Sequence, residues 1–242
     1  MTASAFDVLA ARYDALWSDT AIGIAQREAV WRRIDAVFRP GQRILDLGCG
    51  TGADAVHLMA RGMRVQALDA SAEMVRIAAS RGIDAQWLTI ENLSALQGTF
   101  DGVLSNFGAL NCVADLEGVA SDMARLVRPG GRLAICVMGR TCAREIVHYL
   151  FRQPGKAFRR WRPRGAPSSL GIQVHYPSLR QLTGIFRGPF RLLGWYGIGL
   201  FVPPSYVATS RIARLARLDR RLAHLPLVRG LADHRLLVWE RL

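Results

Sequence analysis

The sequence predicts an α/β fold: a doubly wound, mostly parallel sheet with helices on both faces. Three features carry this expectation. Short apolar runs recur between stretches of helical periodicity; a glycine-rich turn, Gly48-Cys49-Gly50-Thr51-Gly52, directly follows the first run; and the second run ends on an acid, Asp69. Strands and helices alternating at this spacing form βαβ units, whose parallel strands need cover on both faces.

Two helical stretches open the chain. The second is expected over about Ala21 to Phe38, where Ile22, Ala25, Ala29, Val30, Ile34 and Val37 fall near one face and Pro40-Gly41 stops it. Arg43 to Leu47 reads as the first strand, and after the glycine turn a helix runs from Ala53 to Arg61. Val65 to Leu68 is the second strand, and Ser71 is placed to cap a helix through Ser80 that Gly82 closes. Three more strands follow at Ala85 to Leu88, Phe100 to Asn106 and Arg132 to Met138, the last reached through a helix at Leu116 to Val127. Beyond Met138 the expected elements are a helix from Thr141 to Phe151, a basic stretch from Gln153 to Gly171, and a strand from Ile172 to Tyr176. A helix from Ser178 to Phe186, a strand from Phe190 to Ile198, an Arg-rich helix from about Ser205 to His224 and a strand from Arg235 to Arg241 complete the reading.

Half of the 242 residues are hydrophobic and 21% are charged, which excludes disorder and a collagen-like repeat. A chain of this length buries roughly 70% of its unfolded surface and needs no disulfide or metal to hold a core. We expect one domain, with residues 1–140 as a cofactor-binding core and residues 141–242 as a basic elaboration that binds substrate and completes the sheet. The four cysteines show no C-x-x-C spacing and no metal-ligand cluster is visible, so a reduced, cytoplasmic protein is expected. The segment Met1 to Tyr13 lacks the pattern of a signal peptide, and the longest nearly uncharged apolar stretch, Leu192 to Val202, is far short of the ~20 residues of a spanning helix.

The net charge of +13 divides unevenly. Residues 1–140 hold 14 Arg and no Lys against 15 acids, whereas residues 141–242 hold 17 Arg and one Lys against four acids. The excess is therefore C-terminal. Codon usage explains the preference for Arg as readily as function does.

In a doubly wound sheet a ligand sits beyond the carboxyl ends of the strands, where the strand order reverses. Gly48 and Gly50 let backbone approach it without a Cβ, and the following helix start presents free N–H groups. Asp69, at the end of the second strand, can accept two hydrogen bonds from a ribose diol, so an adenosine-containing cofactor is implied. Asp46 ahead of the turn would repel a pyrophosphate but suits the ammonium or sulfonium side of S-adenosyl-L-methionine, and no Walker lysine is present.

The segment from Ile44 to Gly52, Ile-Leu-Asp-Leu-Gly-Cys-Gly-Thr-Gly, resembles the signature of class I S-adenosylmethionine-dependent methyltransferases of the small-molecule type. The resemblance extends from about Phe6 to Met138 and implies a seven-stranded Rossmann-like sheet. It also implies cofactor contacts from Tyr13, in Ala11-Arg-Tyr-Asp14, from Asp46, Gly48, Cys49, Gly50 and Gly52, and from Asp69, Ala70 and Met74. Ile90 and Glu91 occupy the place of the family's adenine loop, where Thr89 stands in the position of a frequent acid. Ser105, Asn106 and Phe107 would line the mouth of the fourth strand.

Methyl transfer is an in-line displacement on an activated carbon, so alignment supplies much of the rate and a general base is optional. The (Asn/Asp)-Pro-Pro-Tyr-like segment of base-methylating enzymes is replaced by Ser105-Asn-Phe-Gly108, and no Pro-Cys nucleophile exists at Cys112, which argues against nucleic-acid chemistry. Among His148, His175, Tyr176 and Tyr206, the preferred catalytic candidates are His175 and Tyr176, because in similar enzymes the strand and turn before a helix of this kind face the pocket. Arg211, Arg214, Arg217 and Arg221, beside a stripe of Ile212, Leu215, Leu218 and Leu222, read as a solvated face, a membrane-surface helix or a contact for an acidic substrate or carrier protein. The expected acceptor is a small molecule, lipophilic or anionic. The alternatives are a non-catalytic S-adenosylmethionine binder, or a methyltransferase reaching RNA or a carrier-bound substrate through the basic face.

Overall fold

The computed structural model describes residues 5–207 and 209–242. The expected first helix is instead a short 3-10 turn, Ala10–Arg12, followed by one π-helical turn, Asp14–Ser18. Helix α1, Ala21–Ile34, starts where the Thr20 hydroxyl accepts the Gly23 N–H at 3.0 Å, and it ends four residues before Phe38, which turns inward and is buried. Then β1 (Arg43–Leu47), α2 (Ala53–Ala60), β2 (Arg64–Asp69), α3 (Ala72–Ser80) and β3 (Asp84–Trp87) alternate as expected. Ser71 caps α3 by accepting the Met74 N–H at 3.1 Å. β4 (Phe100–Ser105), α4 (Leu116–Leu126) and β5 (Val127–Met138) follow.

After β5 come α5 (Ala143–Tyr149), α6 (Pro154–Ala157), β6 (Ala166–Pro167), β7 (Gln173–Val174), α7 (Leu179–Ile185), β8 (Phe190–Ile198), α8 (Ile212–Leu222) and β9 (His234–Arg241). Two expectations need correction. The strand expected over 172–176 shrinks to two residues and pairs only with β6, in a separate ribbon. The Arg-rich helix begins at Ile212 rather than near Ser205, because the chain is still turning after Pro203-Pro204, with the Val207 N–H on the Pro204 carbonyl; Ala208 lies outside the described residues.

The sheet has seven strands in the order β3-β2-β1-β4-β5-β9-β8, parallel from β3 to β5 and antiparallel across β9 and β8. Side chains alternate between its faces. In β5, Leu133, Ile135 and Val137 join the core under α4 and α7, while Ala134 and Cys136 join the core under α1 and α2. Order reverses between β1 and β4, which opens a crevice at their carboxyl ends. Among the described residues no helix is long and apolar enough to cross a membrane.

Candidate active site

A cavity of about 360 Å³ fills that crevice, within the size range of small-molecule sites. Its floor is the glycine turn. Gly50 has φ 54°, and a Cβ there would point at the Tyr13 ring, 3.9 Å away, so the bare backbone faces the space a ligand takes. Gly48 is glycine for another reason: a Cβ would stand 2.3 Å from the Cβ of Ala109.

Asp69 closes one end of the cavity with its carboxylate already oriented. The Gly50 N–H donates to Oδ2 at 2.8 Å and the Ser71 N–H to Oδ1 at 2.9 Å. Burial raises its pKa, and the two backbone donors oppose that shift. Each oxygen keeps lone-pair capacity for a diol. Asp69→Ala is therefore expected to weaken cofactor binding by about 1–3 kcal/mol, the cost of leaving hydroxyl partners unpaired, as read by titration calorimetry; wild-type affinity in the variant would contradict this role.

The N-terminal segment is bolted over the turn. Thr51 donates to Asp14 Oδ1 at 2.6 Å, Arg81 to Asp14 Oδ2 at 2.5 Å, and Ser71 to Asp7 Oδ1 at 2.5 Å. These contacts hold Tyr13 in the cavity wall, where burial pushes its phenol up to about 12. At neutral pH Tyr13 is thus a neutral donor and not a phenolate base. Burial likewise raises the thiols of Cys49 and Cys112, so neither is a thiolate nucleophile.

Opposite Asp69 the wall is built on one buried ion pair. Arg27 of α1 donates to Asp54 Oδ2 at 2.6 Å, and Trp31 and Asn106 complete the carboxylate's shell at 2.7 and 3.0 Å. The Arg27 guanidinium lies 4.8 Å from the Trp17 ring and 5.2 Å from the Phe107 ring. Phe107 itself has φ 50°, a left-handed conformation that costs a bulky residue about 1–3 kcal/mol and clusters at ligand sites. Burial by itself would lower the Arg27 pKa, but Asp54 raises it further, so the cation persists. Arg27 is the one Lys or Arg among the described lining residues and suits a carboxylate such as that of a methionine moiety.

Of the residues singled out from sequence, Tyr13, Gly48, Cys49, Gly50, Asp69, Ala70, Met74, Ile90, Glu91, Asn106 and Phe107 line this cavity. Others do not. Gly52 packs instead, since its Cβ would meet Ile83 at 2.2 Å, and the Ser105 hydroxyl donates to the Leu47 carbonyl at 3.1 Å, tying β4 to β1. Asp46 sits behind the turn, 1% exposed, with Oδ2 unpartnered.

His175 and Tyr176 are also outside the lining. Ile172 and Val174 take the cavity face by strand alternation, and the His175 backbone is held by Asn111, whose carbonyl accepts at 2.7 Å and whose Nδ2 donates at 2.6 Å. The Tyr176 ring lies 5.4 Å from the Arg160 guanidinium. The lid residues in place of this pair are Ser168, Ser169 and Leu170, with Ile172 and Val174. Sequence reasoning also passed over Trp17, Arg27 and Asp54. A signal for Arg27 existed: it shares the buried face of α1 with Gly23, Val30 and Ile34, where an unpaired charge is rare.

Burial raises the Asp46 pKa well above the ordinary carboxylate range; Asp54 adds to the rise and Arg27 opposes it. An unfolded chain releases that proton at lower pH than the folded chain, so folding takes up a proton in the window between them and stability falls as pH rises. Asp46→Asn removes this loss. Without cofactor its Tm at pH 8 is expected to rise by about 2–4 °C, the shift that 1 kcal/mol produces in a chain of this size, with the gain shrinking toward pH 5. Scanning calorimetry that finds no gain at pH 8 would refute it.

The cavity fits S-adenosylmethionine on its own observations: a Cβ-free floor at Gly50, a pre-oriented acid at Asp69 and a cation at Arg27. Known proteins agree. Residues 44–131 match the family described as "Methyltransferase domain". Among curated relatives, the demethylmenaquinone methyltransferase of Mycobacterium sp. (strain KMS) is 36% identical over 137 residues, covering 55% of this chain and 58% of that protein. The Beutenbergia cavernae protein of the same name is 36% identical over 138 residues, with 55% and 56% covered. The chain thus spans little more than half the length of these relatives. In structure, the S-adenosylmethionine-dependent methyltransferase from Mesorhizobium loti superposes with a TM-score of 0.62 at 18% identity over 92% of this chain and 100% of that one. The cyclase SpnF gives 0.57 at 20% identity over 88% and 81%, a likeness of fold alone. The signature turn, the acid after β2 and the seven-stranded sheet stand in one chain: residues 44–131 match the methyltransferase-domain family, and the fold is that of class I S-adenosylmethionine-dependent methyltransferases.

Proposed function

We propose that this protein transfers a methyl group from S-adenosylmethionine to a small, lipophilic acceptor, and that it does so in the cytoplasm, where its four free cysteines stay reduced. One observation carries the reading: apart from the polar groups around Gly50, Asp69 and Arg27, the cavity wall is largely apolar, with Trp17, Phe107, Val113, Met138, Leu170, Ile172 and Val174 in its lining. An acceptor that packs against that wall is mostly apolar. The name of the curated relatives, demethylmenaquinone methyltransferase, supports a quinone-type ring as the acceptor class.

When bound, the cofactor supplies a methyl group activated by its sulfonium. This chain's residues do the rest by position. Asp69 and the Gly50 backbone hold the adenosine end, Arg27 receives the carboxylate, and the aromatic edges of Trp17 and Phe107 hold the acceptor in line while excluding water. No histidine lines the described cavity, and Tyr13 and Cys112 keep their protons at neutral pH, so the acceptor arrives already deprotonated or gives its proton to the Glu91 carboxylate.

The test is transfer of labelled methyl from the cofactor to a cell extract divided into organic-soluble, aqueous and RNA fractions. Label is expected in the organic-soluble fraction and in added reduced naphthoquinone. Label confined to the aqueous or RNA fraction overturns the acceptor class, and calorimetric cofactor binding with no label in any fraction overturns the enzyme.

A further inference from the structure

A second cavity, of about 310 Å³, lies where α1 and α8 run together beside the end of β8. Its walls come from three elements: Ala29, Arg32 and Arg33 of α1, Gly197 to Gly199 at the end of β8, and Arg220, Ala223 and His224 at the end of α8. None of these residues lines the cofactor cavity. Three arginines and a histidine thus line one small space.

Their charges are not cancelled from within. Asp219 is the acid in this wall, and its two oxygens are taken by the Phe201 and Val202 N–H groups at 2.7 and 3.0 Å. Glu28 reaches Arg32 only at 3.8 Å, one helical turn away. Burial, Arg220 and Arg33 together hold the Arg32 pKa below its usual value, the mark of cations pressed against one another. Arg33 is fixed in place by stacking, its guanidinium 4.2 Å from the Tyr196 ring. Gly197 and Gly199 also line the cavity, held there by close packing: a Cβ would meet the Ala223 carbonyl at 2.6 Å from Gly197 and Gln26 Nε2 at 3.0 Å from Gly199.

The apolar side of α8 is meanwhile spent elsewhere. Ile212, Leu215 and Ala216 pack on Ile22 and Ala25 of α1 and on Val202, and Ile198, Leu200 and Val202 are buried, so these residues belong to the fold's own packing. What α8 and α1 offer outward is the guanidinium cluster, whose fork geometry matches phosphate oxygens and favours a doubly charged group over a single carboxylate.

We propose that this cavity is a binding site for a phosphate monoester or diphosphate group, separate from the methyl-transfer site. The phosphate comes from a soluble phosphorylated molecule or from a phospholipid headgroup, and two arms of one experiment tell them apart. In the first, the full chain is titrated with inorganic pyrophosphate by calorimetry. Binding at one site per chain is expected, weakened at least about tenfold in R32Q/R220Q and nearly unchanged in R214Q/R217Q, which removes the same charge from α8 outside the cavity. In the second, the same proteins are floated with phosphatidylcholine vesicles with and without phosphatidylglycerol.

Pyrophosphate binding without flotation assigns a soluble phosphate; flotation that needs phosphatidylglycerol and is lost in R32Q/R220Q alone assigns a headgroup. No binding in either arm, or equal loss in both double variants, overturns the proposal. Cofactor titration on every variant reports folding. Because R32Q/R220Q relieves repulsion, its Tm without phosphate is expected to match or exceed the wild-type value; if it is lower, the single variant R220Q, at an exposed position, decides the pyrophosphate arm by the same fold-loss.

Discussion

Arg160→Met is expected to lower stability by about 3–5 kcal/mol, read as a drop in Tm of roughly 10 °C. Arg160 is 4% exposed and lies between two buried carboxylates. It donates from Nε and Nη2 to Glu145 Oε2 at 2.8 and 2.5 Å, from Nη2 to Asp233 Oδ1 at 2.8 Å, and from Nη1 to the Gly139 and Asp233 carbonyls at 3.2 Å. One side chain of the basic stretch therefore joins α5, the end of β5 and the approach to β9. Glu145 keeps Arg159 at 2.7 Å and Tyr206 at 2.5 Å, but the Asp233 carboxylate retains, among the described residues, Gln26 at 3.4 Å and the neighbouring His234. An under-paired buried charge is the main cost. Arg160→Lys is not expected to rescue, since one ammonium cannot serve both carboxylates and two carbonyls. The lid residues Ser168 to Val174 follow this anchor in sequence, so acceptor affinity should fall more than cofactor affinity; the reverse order in calorimetry would contradict the assignment.

Arg27→Met is the second large effect, about 3 kcal/mol of stability together with a fall in cofactor affinity of about tenfold or more. Both partners of the pair have side chains only 8% exposed, and Asp54 is left with the neutral donors Trp31 and Asn106. Those two donors keep the cost at the lower end of the range for a broken buried pair. The two readouts separate roles. Asp69→Ala should cost affinity with little change in Tm, whereas Arg27→Met should cost both, and a destabilised Arg27→Met protein that binds cofactor like the wild type would make Arg27 purely structural.

These two arginines also mark where sequence reasoning stopped. The strands from Arg43 to Met138 and the cavity floor were legible because their signals are local: apolar runs, a glycine turn and an acid at a fixed place after it. Arg27 and Asp54 are 27 positions apart and meet only once α1 packs across the start of α2. His175 and Tyr176 were misplaced for a related reason. Alternation along the ribbon decides which residues face the cavity, and its phase is set by Asn111, 64 residues away, gripping the His175 backbone. Gly52 and Ser105 matched a motif whose positions include packing and fastening roles as well as contact ones.

The strand order has a bearing on how the chain reaches this state. β9 lies between β5 and β8, yet β8 precedes it in sequence. As the polypeptide emerges, β8 is available before the strand that must separate it from β5, and the edge of β5 is open to it meanwhile. A direct β5–β8 pairing would have to be undone before β9 could enter, and the pairings β9 makes with β5 span about a hundred residues, from Arg132 to Glu240 at one end of the ladder. Such long-range closure is slow. The parallel half is free to assemble early, so the rate-limiting event in folding should be the arrival of β9, and refolding followed at Trp239, buried in that strand, should lag behind formation of the cofactor half.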